Sequence, residues 1–112
     1  MSDSTQYLPS ATRIISRDFN LDPDKTGFSE LEGVDLLNRV KEVLTQEIDY
    51  LIGHNMDRLL WILYRVDVDE GRLRQLIADN PPADASGLIA DLIIERQLEK
   101  AETRAKYERG GL

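Results

Sequence analysis

The chain has no cysteine among its 112 residues, so neither a disulfide framework nor a thiolate metal site can form. Cysteine nucleophiles, iron–sulfur clusters and zinc ribbons are excluded with it. Histidine is almost as scarce: His54 stands alone, whereas metal hydrolases usually pair histidines at helical spacing. Long apolar runs are missing too. The longest, Leu59 to Tyr64, is far short of the roughly 20 residues a membrane helix needs. The opening Met-Ser-Asp-Ser-Thr-Gln has neither the basic nor the apolar region of a signal peptide. These absences describe a soluble cytoplasmic protein with no membrane association.

Positive charge is in deficit. There are 14 Lys and Arg against 21 Asp and Glu, a net charge of −7, and no segment forms a basic stripe. Nonspecific attraction to nucleic acid or anionic lipid is therefore disfavoured over the molecule as a whole. A glycine-rich phosphate loop, a nucleophile elbow and a dinucleotide fingerprint are all absent from the sequence. Nothing implies a cofactor.

What is present is helical periodicity. Residues 1–29, with Pro9, Pro23, Gly27 and many small polar residues, show no regular period and read as an irregular N-terminal arm. Ser29 with Glu32 has the spacing of a capping box. Leu37, Val40, Leu44, Ile48 and Leu51 then recur at three and four residues, widened by Leu36 and Val43, which predicts a helix over 30–52 ended by Gly53. Asn55 is a good N-cap for a second helix over 56–66, in which Met56, Leu59, Leu60, Trp61, Ile62, Leu63, Tyr64 and Val66 are apolar or aromatic. A helix apolar nearly all round must be covered nearly all round, so this segment is expected at the centre of the fold. A short helix over 68–79 follows Asp67 and stops at Asn80-Pro81-Pro82. A last helix over 85–108 follows Asp84 and runs into a flexible tail at 109–112. The expected fold is an all-α bundle of about four helices occupying 30–108.

Two stretches, Ile62-Leu63-Tyr64-Arg65-Val66-Asp67-Val68-Asp69-Glu70 and Ile89-Ala90-Asp91-Leu92-Ile93-Ile94-Glu95-Arg96-Gln97, resemble a group of short bacterial all-helical proteins of unknown function. The likeness spans about residues 36–100. It implies the helical fold and carries no site residue.

Four clusters invite chemistry. Asp22, Asp24, Thr26 and Gly27 fall at calcium-loop positions 1, 3, 5 and 6, but position 12 is Gly33 where a bidentate Glu belongs. A capped turn accounts for them better. His54 could act as a general base oriented by Asp49 or Asp57, although a histidine past a helix end more often meets the terminal carbonyls. Asp67, Asp69 and Glu70 could hold a hard cation, yet acidic residues favour helix N-termini anyway. Helices 56–66 and 68–79 have the outline of a helix-turn-helix, with Arg65, Arg72 and Arg74 as its nucleic-acid contacts.

The function expected from these residues is a helical protein–protein interaction or scaffolding module, not an enzyme, that forms a homodimer. Its interface would draw on Leu60, Trp61, Tyr64, Leu92, Ile94 and Leu98, with an unidentified protein partner as a further possibility. The alternatives are a small nucleic-acid-associated regulator using residues 56–79, and a ligand-binding protein or enzyme centred on His54.

Overall fold

Leu8, Ala11, Thr12, Ile15, Ser16 and Phe19 recur at intervals of three and four residues. In the computed structural model, which describes residues 4–110 without the side chains of residues 4, 5, 109 and 110, they form the buried face of a helix, α1 (Leu8–Phe19). The irregular arm expected there is thus corrected. Pro9 does not interrupt the helix, because it sits in the first turn where its missing N–H is no loss. Asn20 ends α1 in the left-handed region (φ 56°), and Leu21 N–H closes the cap on Ser16 O at 2.8 Å.

A short helix, α2 (Pro23–Thr26), is capped by Asp22, whose carboxylate accepts from Asp24 N–H at 2.9 Å. Gly27, at φ 88°, turns the chain into a 3-10 segment, Phe28–Glu30, that buries Phe28. The capping box expected of Ser29 and Glu32 does not form. Ser29 lies within the 3-10 turn and its hydroxyl donates to Asp24 instead, so α3 (Gly33–His54) starts later than 30. Gly53 does not stop α3 either; the helix continues to His54, and Asn55 N–H caps it on Leu51 O.

Three more helices follow: α4 (Met56–Val66), α5 (Glu70–Asp79) and α6 (Ala85–Gly110). Asn55 caps α4 as expected, its side chain accepting from Arg58 N–H. Asp69, rather than Asp67, caps α5. Asp67 instead closes α4 from the left-handed region, at φ 65°. The flexible tail expected over 109–112 is helical at 109 and 110, since α6 runs to Gly110; its last two residues lie, with residues 1–3, outside the described residues. Among the described residues the fold is all-helical, as expected, with six α-helices rather than about four.

α3 and α6 pack along each other, α1 lies on both, α4 on both, and α5 on α6. α3 contributes one clean row, Leu36, Val40, Leu44, Ile48 and Leu51. α6 is buried over a wider arc, at Ile89, Ala90, Leu92, Ile93 and Ile94. It is α6, not α4, that is wrapped on most of its sides. The reason is α1. A helix that sequence patterning read as an arm packs on α6 and α3, which moves the centre of the bundle to α6 and leaves α4 at its edge. No described helix is long and apolar enough to cross a membrane.

Candidate functional site: the outer face of α4 and the arginine cleft beside it

Successive helical residues turn by about 100°, so the eleven residues of α4 divide into arcs. Leu59, Ile62, Leu63 and Val66 fall within one arc and are buried. The expectation that this helix is covered on all sides is therefore corrected. Met56, Leu60 and Tyr64, four residues apart, form a row on the outer face; Asp57, Trp61 and Arg65 form a second row beside it. Leu60 is 55% exposed, Trp61 54% and Tyr64 86%. A grouped set of large apolar side chains facing water marks an interaction surface far more often than a scattered one does.

At one edge of this face, the end of α1, the end of α3 and α4 enclose an open cleft of about 710 Å³. Its charged feature is built on Asp18, in the last turn of α1, whose side chain is only 5% exposed. Arg65 Nε lies 3.4 Å and Arg17 3.6 Å from its carboxylate, and Arg58 donates to the Asp18 carbonyl at 3.2 Å. Arg58 thereby satisfies one of the backbone acceptors that the end of α1 leaves open. The Arg65 guanidinium also sits 5.3 Å from the Trp61 ring centroid, a cation–π contact that links the cleft to the outer face. From α3, Tyr50 and His54 stack with centroids 4.1 Å apart and planes 10° from parallel, and both line the same cleft.

His54 is exposed, and its Nδ1 lies 2.9 Å from Tyr50 O, a contact with a carbonyl of the last helical turn. Neither expected orienting carboxylate engages it: Asp49 accepts from Ser86 Oγ at 3.0 Å, and Asp57 makes no contact with the imidazole. The acidic trio is also dispersed. Asp67 pairs with Arg96, Asp69 caps α5 and Glu70 pairs with Arg74. Asp22 and Asp24 serve the turn around α2. Among the described residues no three His, Asp or Glu side chains are placed to hold a metal ion.

The three arginines singled out for nucleic acid do not act together. Arg72 forms a two-pronged pair with Glu95, whose hydrogen bond and charge raise the guanidinium pKa, and Arg74 pairs with Glu70 along its own helix. Only Arg65 reaches the cleft. Of the expected interface residues, Leu60, Trp61 and Tyr64 lie together on α4. Leu92 and Ile94 are buried within the chain, and Leu98 packs against its core. Arg17, Asp18 and Arg58 were not singled out by sequence, because two of them stood in the supposed arm. The signal was available in the α1 periodicity, which puts Arg17-Asp18 at a helix end.

Comparison of the chain with models of protein families, with curated proteins and with solved structures finds no match. The resemblance of residues 36–100 consequently brings no function with it.

Proposed function

We propose that this protein is a helical interaction module that self-associates through the outer face of α4. The observation carrying this reading is that the face is a palindrome. When two copies of a helix pack antiparallel about a two-fold axis, each row meets its own reverse. In the row Asp57, Trp61, Arg65, the carboxylate at one end then faces the partner's guanidinium and the two Trp61 rings meet in the middle. In the row Met56, Leu60, Tyr64, the thioether faces a phenol ring and Leu60 faces Leu60. Both rows are centred within one residue of each other, so one crossing satisfies both.

The energetics favour the same occupant. Burying apolar surface is worth roughly 25 cal/mol per Å², and four large side chains on one face supply the apolar centre such an interface needs. Asp57 is free to join in, having no ion-pair partner within its own chain among the described residues. α1 packs mainly on α6 and α3, and among the described residues nothing covers the face, whose large side chains stay exposed.

Light scattering across a concentration series tests the reading. The wild-type chain is expected at twice its 12.8 kDa mass in the micromolar range, and Leu60→Asp at the monomer mass with unchanged helicity. A wild-type chain that stays monomeric throughout the series rejects it.

A further inference from the structure

We infer that the cleft between α1, α3 and α4 binds a small phosphate-bearing ligand with a flat ring, of the nucleotide class. The first support is a surplus of donors. Each guanidinium offers five N–H groups in a rigid fork suited to phosphate. Among the described residues, the guanidinium groups of Arg17, Arg58 and Arg65 together make one hydrogen bond, from Arg58 to the Asp18 carbonyl. Arg17 and Arg65 approach the Asp18 carboxylate at 3.6 and 3.4 Å without closing a hydrogen bond on it. The Asp18 carboxylate and carbonyl at the end of α1 draw the arginines together, but they leave most of the donors uncommitted.

Charge is the second support. Three guanidinium groups line the cleft against two carboxylates, Asp18 and Glu47, and Asp18 is buried. A cationic recess on a chain of net charge −7 is a local feature, not a sample of the average surface. It favours a small anion over a polyanion, which the rest of the molecule repels.

Shape is the third. Trp61 from α4 and the stacked Tyr50–His54 pair from α3 line the same cleft as the arginines. Its volume of about 710 Å³ lies within the range of about 300–1,000 Å³ common to small-molecule sites. Aromatic rings beside arginine donors are the combination that recognises a base and its phosphate at once, by stacking and by charge-assisted hydrogen bonds. Simple phosphate would use only half of it. Every lining residue comes from one chain, so the cleft needs no second copy, but Trp61 and Arg65 also belong to the proposed α4 pairing, so ligand and second copy compete for them.

Trp61 is the only tryptophan, so its fluorescence reports directly on the cleft. The experiment titrates the full chain with AMP, adenosine and inorganic phosphate, following Trp61 emission and calorimetry, in the wild type and in the Leu60→Asp background. AMP is expected to bind Leu60→Asp saturably, at least tenfold more tightly than either half-ligand, and to bind the wild type more weakly as rising protein concentration drives the pairing that occupies Trp61 and Arg65. Arg58→Ala and Arg17→Ala should each weaken AMP by tenfold or more while Arg74→Ala on α5 leaves it unchanged. Because Arg58 also caps α1, Arg17→Ala keeps the test independent of any loss of folding. Absence of saturable binding by about 10 mM AMP overturns the inference, that limit lying well beyond the affinity of a built site. So does equal weakening by Arg74→Ala, which reduces the effect to bulk charge. Inorganic phosphate binding as tightly as AMP removes the ring from the site, and adenosine doing so removes the arginines; either result overturns the assignment.

Discussion

Leu60 and Leu63 stand one turn apart on α4 and face opposite media, the first 55% exposed and the second 7%. The border of the bundle core passes between them. An aspartate at Leu63 would place an unpaired charge among core side chains, whereas one at Leu60 would meet water. Leu63→Asp should therefore cost more than about 4 kcal/mol, a large share of a small domain's total stability, and leave the chain unfolded. Leu60→Asp should keep its far-UV circular dichroism and a cooperative melt. Equal damage by both substitutions would place the whole of α4 inside the fold.

The N-terminal helix is structural. Leu8, Ala11, Ile15 and Phe19 are all fully or almost fully buried, and they cover α6 and α3. Removing residues 1–21 should expose that surface and abolish cooperative thermal unfolding, not merely trim a tail. A truncated chain that melts like the full one would contradict the packing described here.

The same helix carries two hydroxyls out of place. Thr12 Oγ1 and Ser16 Oγ are buried and meet no hydrogen-bond partner among the described residues. Desolvating a hydroxyl without a partner costs about 1–3 kcal/mol, so replacing it with an apolar group of similar size recovers part of that. Ser16→Ala and Thr12→Val should each raise the melting temperature by a few degrees, and the two together by more. A lowered melting temperature in both would mean that these hydroxyls have partners.

Gly27 offers a test of backbone conformation alone. Its φ of 88° suits glycine, and a Cβ added there would meet nothing within 4 Å. Gly27→Ala should cost about 1–2 kcal/mol through left-handed strain alone, lowering the urea midpoint without changing its slope. No loss of stability would show that the turn is free to relax.

How legible was this fold in its sequence? The span of α4 was, because Asn55 is a strong cap and Asp67-Val68-Asp69 interrupts the apolar pattern on the other side. The row from Val40 to Leu51 in α3 was readable from its spacing, although the structure heads it with buried Leu36 where the sequence reading placed Leu37, which is only partly buried. α1 was hidden by its composition. Half of its buried face is Ala11, Thr12 and Ser16, which do not register as apolar, and Pro9 and Asn20 looked like breakers when they are the start and the cap. Losing α1 shifted the inferred centre of the bundle to α4, whose many apolar residues then seemed to require cover on every side. Sequence patterning counts apolar residues on a helix but cannot say which arc of them a neighbour will cover. The arginine cleft depended on the same missing helix, since Arg17 and Asp18 become meaningful only once α1 ends beside α4.

In the proposed dimer, α4 meets a second copy of itself with Leu60 opposite Leu60. Because the chain contains no cysteine, a single introduced thiol reports on that geometry without background. Leu60→Cys is expected to oxidise rapidly to a covalent dimer at micromolar concentration, while Ile77→Cys, similarly exposed on α5, forms no covalent dimer under the same conditions. Equal cross-linking at both positions, or none at Leu60→Cys in a chain that light scattering finds monomeric, would contradict the pairing.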